Sequence, residues 1–353
     1  MSLFKLRESY QAHPLKWWHA PLLIILIVGT YLAAREYRGT AQAGPWPQSE
    51  VQHNAGSIFG TVYHLTYQAP VDYGWQVDSL LNELDASLSP FNPASTISRI
   101  NDNSLTQVDE RLERVFTLAK EVWNSTDGAF DITVAPLVNA WGFGFQQAQE
   151  VDSALVDSLM RFVGFGKVNL TTEGNIEKDD PRLMLDCAAI AKGYAVDEVA
   201  DWLWTRGVEN YMVEIGGELR LSGHNPQGTD WRIGVSNPHE ADSTEAPLQN
   251  VLTLTNTAVA TSGNYRNFIE KNGRKFAHTI DPHSGYPIQR DILSATVLAG
   301  TCAEADAYAT AFMVSGLEAS MQILEQQTQL KAYIIYADSN GQMLTWASEG
   351  LGL

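Results

Sequence analysis

The stretch that decides the fold is 185–222, LDCAAIAKGYAVDEVADWLWTRGVENYMVEIGGELRLS. Apolar and small residues recur at helical spacing over 188–205, which predicts an amphipathic helix. Tyr211–Ile215 and Glu218–Ser222 then alternate apolar and polar residues on either side of Gly216-Gly217. This pattern predicts a strand, a tight turn and a second strand directly after the helix.

The remainder of the 353-residue chain mixes helices and strands in the same way. Helices are predicted at 75–88, 111–124, 152–161, 301–313 and 317–327. Strands are predicted at 57–68, 167–170, 182–186, 231–236, 250–256, 274–280 and 331–337. Evenly spaced βαβ units are not part of this pattern, so the predicted class is α+β.

The acidic composition limits what the chain can bind. Its formal net charge is −18 at pH 7. Such a body repels a polyanionic backbone, so nucleic-acid binding is not expected, and a pyrophosphate ligand would need a metal ion or local cations. Cys187 and Cys302 lack neighbours at metal-ligand spacing. This argues against zinc and favours buried free thiols, although a disulfide between them stays open.

An apolar segment near the start of the chain predicts a membrane anchor. Residues 17–34 contain no Asp, Glu, Lys or Arg, and Trp17, Trp18 and Tyr31 suit the two interfaces of a bilayer. As a helix the segment would be about 27 Å long, near the lower limit for a span. Three Lys and Arg residues before it favour a cytoplasmic N-terminus, although two arginines directly behind it weaken this prediction. The predicted organisation is a cytoplasmic segment, a transmembrane anchor, a linker and an exported domain, at 1–16, 17–34, 35–55 and 56–353.

Two alternatives for this segment stay open. It would be a signal peptide if it were cleaved near Ala41-Gln42-Ala43, and it could also be a buried core helix. Since no cysteine closely follows the segment, attachment of a lipid to a processed N-terminal cysteine is not expected.

Residues 126–144, TDGAFDITVAPLVNAWGFG, combine small residues with polar groups. Gly128 allows a backbone bend, and the small Ala129 allows a flat ligand to approach the chain closely. Asp131 and Thr133 present oxygens nearby. The alternative is a plain turn that joins a helix to a buried segment.

A second motif opens the helix of 185–201. Asp186 precedes the predicted helix, where a carboxylate would cap free N–H groups, and Lys192 lies one turn further on. A helix N-terminus beside a lysine is a candidate anion site. A capped helix packed on its small face explains the same residues equally well.

His278 is a candidate catalytic residue. It precedes Asp281-Pro282 and a Ser-Gly pair, which are turn signals and place it at the end of a strand beside a loop-rich rim. Tyr265 and Arg266 are further polar groups close by in sequence. These neighbours leave a catalytic and a structural role for His278 equally open.

The segment 301–316, TCAEADAYATAFMVSG, is the candidate metal site. Asp306 and Thr310 are four residues apart in a predicted helix and therefore share one face. A carboxylate and a hydroxyl in this arrangement can bind a hard cation such as Mg²⁺. The alternative is a buried hydrogen bond between the two side chains.

Together these motifs resemble the FAD:protein FMN transferase family, also called the ApbE family and formerly described as thiamine biosynthesis lipoproteins. The resemblance covers about 57–336 and implies mixed helices and antiparallel sheets around an FAD cleft, related to a duplicated T-fold. It rests on ordered blocks, which are FGTVY, SPFNPASTISRIN, TDGAFDITVAPL, LDCAAIAKGYAVD, VEIGGELRLSG, AVATSGNYRN, HTIDPHSGYPI and EADAYATAF.

The resemblance also implies roles for individual residues. Mg²⁺ would be held by the backbone carbonyl of Ala189, the carboxylate of Asp306 and the hydroxyl of Thr310, and His278 matches the family's proposed general base. The family commonly has Met where Phe59 stands, which alters packing on the flavin or adenine. The implied FAD contacts are Phe59, Phe91, Ala129, Phe130, Asp131, Asp186, Lys192 and the backbone around Ile280.

The resemblance implies an enzyme that cleaves FAD, its substrate, and attaches FMN by a phosphoester bond to a Thr or Ser of an acceptor protein, releasing AMP. Family acceptors are flavoprotein subunits of membrane redox complexes, such as the Na⁺-translocating NADH:quinone reductase and its Rnf relatives. The expected location is the bacterial inner membrane, single-pass, with the catalytic domain in the periplasm. The alternatives are an FAD pyrophosphatase that releases free FMN and AMP, and a non-catalytic FAD-binding protein.

Overall fold

The structure is a computed structural model, and it describes residues 44–236, 248–263, 268–271 and 274–351. Residues 45–353 form one compact unit. The predicted cytoplasmic segment and transmembrane anchor lie outside the described residues. Among the helices that the structure describes, none is long and apolar enough to cross a membrane.

An antiparallel sheet of eight strands forms the centre of the body. In the order in which they pair, its strands are β1 (Val51–Ile58), β2 (Thr61–Gln68), β5 (Tyr211–Ile215), β6 (Glu218–Ser222), β9 (Thr257–Gly263), β12 (Ile292–Ala299), β13 (Lys331–Ala337) and β14 (Met343–Ala347). Antiparallel two-stranded ribbons are β3 (Val168–Leu170) with β4 (Ile176–Lys178), β7 (Trp231–Ser236) with β8 (Leu248–Leu254), and β10 (Phe268–Lys271) with β11 (Arg274–Ala277).

Helices cover this sheet. They are α1 (Gly74–Leu88), α2 (Thr96–Asn101), α3 (Glu110–Ser125), α4 (Ala135–Trp141), α5 (Ser153–Leu159), α6 (Ala191–Thr205), α7 (Cys302–Ser315) and α8 (Leu317–Gln326). Short 3₁₀ turns occur at Gln48–Glu50, Ile132–Val134, Met160–Phe162 and Phe165–Lys167. α7 packs on β9 and β12, α6 packs on β5 and β6, and the two helices pack against each other. Most of α7 is buried, because its many alanines allow the helix to lie close to the sheet.

The mixture of helices and antiparallel strands confirms the predicted class. The helix–strand–turn–strand unit of 185–222 is present as α6, β5 and β6, and α6 ends at Thr205 as predicted. Gly207, just beyond it, has a φ of 78°, a conformation that favours glycine after a helix. Cys187 and Cys302 are buried free thiols, which confirms that interpretation.

The single strand predicted at 57–68 is wrong, because the segment contains a hairpin turn. β1 and β2 pair from Val51 with Gln68 to Ile58 with Thr61. The intervening residues, Phe59 and Gly60, have φ values of 52° and 71°. A two-residue hairpin needs positive φ at both central positions, which Asn and Gly usually supply. β1 also begins within the range predicted as a linker.

The strand predicted at 182–186 is also wrong. Leu183 and Leu185 are buried, but the side chain of Asn101 takes the place of a strand partner. Its amide donates to the carbonyl of Leu185 at 2.8 Å and accepts from the Leu185 N–H at 2.7 Å. A side-chain amide thus satisfies the backbone groups that a neighbouring strand would otherwise satisfy.

Candidate active site

A cavity of about 910 Å³ lies where the β5–β6 turn, the end of β9, the start of α6 and the middle of α7 meet. Pockets of this volume hold ligands of cofactor size. The structure brings all but one of the predicted site residues to its wall. These are Phe59, Ala129, Phe130, Asp131, Asp186, Ala189, Lys192, His278, Ile280, Asp306 and Thr310.

Phe91 is the predicted site residue that the structure places elsewhere. Its side chain is exposed, and its ring centroid lies 6.3 Å from that of Phe145 in an edge-to-face arrangement. Phe143, which was not predicted, lines the cavity and contacts His278, with 6.5 Å between the ring centroids. Phenylalanines therefore line the cavity as predicted, but Phe143 is among them and Phe91 is not.

Asp306 and Thr310 lie one turn apart on α7, and both face the cavity. Asp306 is buried, and its Oδ2 accepts a hydrogen bond from the backbone N–H of Gly193 at 3.0 Å. The Thr310 hydroxyl lies 3.2 Å from the hydroxyl of Ser262. The hydrogen bonds described for these two side chains thus go to other residues rather than to each other.

Lys192 brings a positive charge to this acidic wall. Its Nζ lies 2.6 Å from Glu218 Oε1 and 3.8 Å from Asp306 Oδ2. Burial alone would lower the pKa of Lys192, but the charges of Asp306 and Glu218 raise it above its usual value. The lysine therefore stays protonated over the physiological range.

Glu218 is a site residue that the sequence did not reveal. It is buried, it lines the cavity, and among the described residues its Oε2 atom has no hydrogen-bond partner. Burial raises the pKa of Glu218 above its usual range, and the charge of Asp306 adds to this, although Lys192 opposes both. A carboxylate oxygen left without a partner in a cavity wall is a candidate ligand-binding group.

Asp131 and Asp186 also line the cavity. Asp131 Oδ1 accepts from the N–H and the hydroxyl of Thr133, at 2.7 and 2.6 Å, and its Oδ2 accepts from the N–H of Phe165 at 3.0 Å. Its carboxylate thus holds two loops together. Burial raises the pKa of both Asp131 and Asp186, while their hydrogen bonds oppose the shift.

The predicted capping role of Asp186 needs correction. Its Oδ1 accepts from the N–H of Ala188 at 2.9 Å, but residues 188–190 form a turn and α6 begins at Ala191. The carboxylate therefore stabilises the turn before the helix and does not cap the helix. This turn exposes Ala189 to the cavity, close to the start of α6.

The rim around His278 is built by turns, as predicted. Asp281 accepts from the N–H of His283 at 2.9 Å and from the hydroxyl of Ser284 at 3.0 Å. These bonds fix the loop that follows His278. Tyr265 and Arg266 lie outside the described residues.

The oxygen groups on this wall suit a hard cation. In the part of the chain that the structure describes, no three His, Cys, Asp or Glu side chains converge as a metal cluster. Asp306 and Thr310 instead bring one carboxylate and one hydroxyl to the cavity, and Ala189, whose carbonyl the resemblance implies as a ligand, lines the same cavity. Mg²⁺ is commonly held by one or two carboxylates together with substrate phosphates, and this donor set is consistent with that mode.

Glu218 and Ser262 lie in the resemblance blocks VEIGGELRLSG and AVATSGNYRN, but no role was predicted for either residue. Glu218 directly follows the Gly216-Gly217 turn, and this position of a carboxylate after a turn in the resemblance block VEIGGELRLSG was the available signal. Ser262 lies at the end of β9, a strand that was not predicted.

Comparison with known proteins identifies the family of this chain. The model of the ApbE family matches residues 59–334. An FAD:protein FMN transferase of Vibrio cholerae is 38% identical over 309 residues, which are 85% of this chain and 91% of that protein. One from Escherichia coli is 32% identical and covers 77% of this chain and 79% of its own length.

Solved structures give the same result. The flavin transferase ApbE from Vibrio cholerae superposes with a TM-score of 0.77 at 35% identity, covering 86% of this chain and 98% of that one. The apo flavinyl transferase ApbE of Pseudomonas stutzeri has a TM-score of 0.74 at 30% identity and covers 85% and 95% of the two chains. From the match to the family model, the identity to these relatives and the shared fold, the chain belongs to the ApbE family.

Proposed function

We propose that this chain is an Mg²⁺-dependent FAD:protein FMN transferase, which cleaves FAD and attaches FMN to a Thr or Ser of an acceptor flavoprotein. The observation that carries the proposal is the placement of Asp306 and Thr310, one helical turn apart, in the wall of a cofactor-sized cavity. The activity of the relatives, which are FAD:protein FMN transferases at 32–38% identity, supports it.

Asp306, Thr310 and the carbonyl of Ala189 would hold the metal ion. When bound there, Mg²⁺ would neutralise charge on the diphosphate of FAD during phosphoryl transfer. Lys192 would add a fixed positive charge at the same wall, and it is the one Lys or Arg among the described residues that line the cavity. Glu218 and Asp306 keep that lysine in place.

The reaction breaks the phosphoanhydride bond of FAD and forms a phosphoester bond to the acceptor. The acceptor hydroxyl oxygen forms a bond to the phosphorus nearest the riboflavin, and the bond from that phosphorus to the bridging oxygen breaks. AMP leaves with the electron pair of the broken bond. His278, at the rim, would accept the proton of the hydroxyl, and the aromatic wall of Phe59, Phe130 and Phe143 would bind the flavin and exclude water.

Flavin transfer is measured directly by covalent fluorescence. The full chain is incubated with FAD, MgCl₂ and an acceptor subunit of the Na⁺-translocating NADH:quinone reductase or Rnf type, and the products are separated on a denaturing gel. A fluorescent acceptor band that disappears with EDTA supports the proposal. Release of free FMN with an unlabelled acceptor would identify a pyrophosphatase instead. Stoichiometric FAD binding without turnover would identify a binding protein.

We also propose the cellular setting that was expected from the sequence. The apolar segment 17–34 would anchor the protein in the bacterial inner membrane, with the catalytic domain in the periplasm, close to membrane-bound acceptors. Lys5, Arg7 and Lys16 before that segment support this orientation, and Arg35 and Arg38 behind it oppose it. Protease added to spheroplasts should degrade the catalytic domain. Full protection of the domain in intact spheroplasts would contradict the orientation.

A further inference from the structure

The start of α7 is capped by a residue of another helix. The N–H groups of Cys302 and Ala303 donate to Oδ1 and Oδ2 of Asp197, each at 2.9 Å. The hydroxyl of Thr301 accepts from the N–H of Glu304 at 3.3 Å. The first three N–H groups of α7, which have no partner within the helix, are therefore all satisfied, and two of them by the same carboxylate of α6.

A second contact joins the same faces of the two helices. Gly193 lies one turn before Asp197 on α6, and its N–H donates to Asp306 Oδ2 at 3.0 Å. A Cβ atom at Gly193 would lie 2.3 Å from the carbonyl oxygen of Cys302. α6 thus contacts α7 closely at Cys302 and again, one turn later, at Asp306.

The charge of Asp197 is balanced by Arg220. Arg220 Nη1 lies 3.0 Å from Asp197 Oδ1 and 2.9 Å from Asp201 Oδ1. The two acids differ in their surroundings, because the side chain of Asp197 is 10% exposed and that of Asp201 is 64% exposed. Burying a carboxylate costs free energy even when it is paired. A serine or threonine cap would avoid that cost, so stability alone does not account for Asp197.

We propose that Asp197 is a positioning residue for the metal-binding face of α7. By accepting hydrogen bonds from the first two N–H groups of α7, Asp197 fixes the rotation and the axial position of α7 against α6. Asp306 and Thr310 then face the cavity. The inference rests on the proposed function, in which these two side chains bind Mg²⁺. Outer partners that orient metal ligands typically change metal affinity by about 10- to 100-fold when they are removed.

Two matched variants test the role of Asp197. Asp197→Asn and Asp201→Asn each remove one carboxylate from Arg220, but only Asp197 contacts α7. The dissociation constant of Mg²⁺ is measured by titrating MgCl₂ into the FAD-loaded full chain in a calorimeter. We expect Asp197→Asn to raise it by about 10- to 100-fold and Asp201→Asn to leave it at the wild-type value. An unchanged constant in Asp197→Asn, or an equal rise in both variants, overturns the inference.

A third variant covers the case in which Asp197→Asn does not fold. Asp197→Glu keeps the charge and both acceptor oxygens but is one methylene longer, so it should displace α7 while circular dichroism stays native. A raised dissociation constant is expected, and a wild-type constant in this folded variant overturns the inference. If the wild-type chain with FAD binds no Mg²⁺, the proposed function fails and the inference falls with it. If the wild type binds Mg²⁺ and the Asp197 variants bind it equally well, the inference about Asp197 fails but the proposed function stands.

Discussion

The backbone N–H of Gly193 donates to Asp306 Oδ2 across 3.0 Å, so the carboxylate on α7 is held by the first turn of α6. No side chain intervenes at this contact, because the α-carbon of Gly193 lies against the backbone of Cys302 and Ala303. The proposed metal ligand therefore depends on a close approach of two helices, which the small side of α6 makes possible.

Gly193→Ala should separate these helices. The new Cβ would lie 2.3 Å from the Cys302 carbonyl oxygen and 2.8 Å from the Ala303 Cα, and both are backbone atoms that cannot rotate away. We expect a loss of about 1–3 kcal/mol in the free energy of unfolding, measured with urea, together with loss of flavin transfer. Gly166→Ala is the control, since no atom lies within 4 Å of its added Cβ. A fully active and stable Gly193→Ala protein would show that the helices can move apart without consequence.

Asp306→Asn should abolish most of the transfer activity. The change keeps the size of the side chain but removes the charge that would bind Mg²⁺, and metal stabilisation of phosphoryl transfer is worth several kcal/mol, or about 10²-fold or more in rate. The initial rate of in-gel labelling measures the effect. Glu304→Gln is the matched control, because Glu304 is on the same helix and bonds to Gln329 at 3.1 Å. Near-normal transfer by Asp306→Asn would remove the metal hypothesis.

His278→Ala should lower turnover much more than FAD affinity. His278 lies in the cavity wall against Phe143, where it can reach an entering hydroxyl. Loss of a general base typically costs about 10²–10⁴-fold in rate. Single-turnover labelling gives the rate, and equilibrium titration gives the FAD dissociation constant. A variant whose rate matches the wild type at every pH would exclude His278 as the base.

Local patterns in the sequence predicted the long helices and several strands, but β9, β12 and β14 of the central sheet were not predicted. α3 follows Asp109, whose carboxylate accepts from the N–H of Leu112 at 2.9 Å, and this cap and the apolar spacing are both readable from the sequence. The hairpin turn at Phe59 was not readable, because a phenylalanine with positive φ carries no signal of a turn. The sequence also could not show that residues 182–186 have no neighbouring strand, because their backbone pairs instead with the side chain of one distant residue, Asn101.

The site was predicted to a similar extent and for similar reasons. Residues inside the family motifs, such as Asp306 and Lys192, could be identified by resemblance, and the structure places them in one cavity. The ion pair of Lys192 with Glu218 could not be predicted, because the two residues belong to different motifs. Lys192 lies on α6, and Glu218 begins β6. Asp197 shows the same limit, since its partners on α7 are more than one hundred residues away.

The ionisation of Asp197 predicts how stability depends on pH. Burial raises the pKa of Asp197 to about 6, against the opposing hydrogen bonds from Cys302 and Ala303 and the charge of Arg220. The usual pKa of an aspartate in an unfolded chain is 3.8. The folded state therefore binds the proton more tightly than the unfolded state between these two values, and stability from this group is full below about pH 4 and is lost as the pH rises through 6.

Relative to Asp197→Asn, the wild-type free energy of unfolding should accordingly fall between about pH 4 and pH 6.5, by at most about 3 kcal/mol, and then stay level. Urea unfolding without Mg²⁺ or FAD at a series of pH values gives this difference. Asp197→Asn also loses one hydrogen bond to α7. This loss does not depend on pH, so it shifts the free-energy difference by a constant and leaves its pH dependence unchanged. Asp201→Asn is the control. The charge of Asp201 raises the pKa of Asp197, so in this variant the decrease in the free energy of unfolding should occur at lower pH. A difference that rises with pH would mean that the buried carboxylate stabilises the fold, and that its partners outweigh the cost of removing it from water.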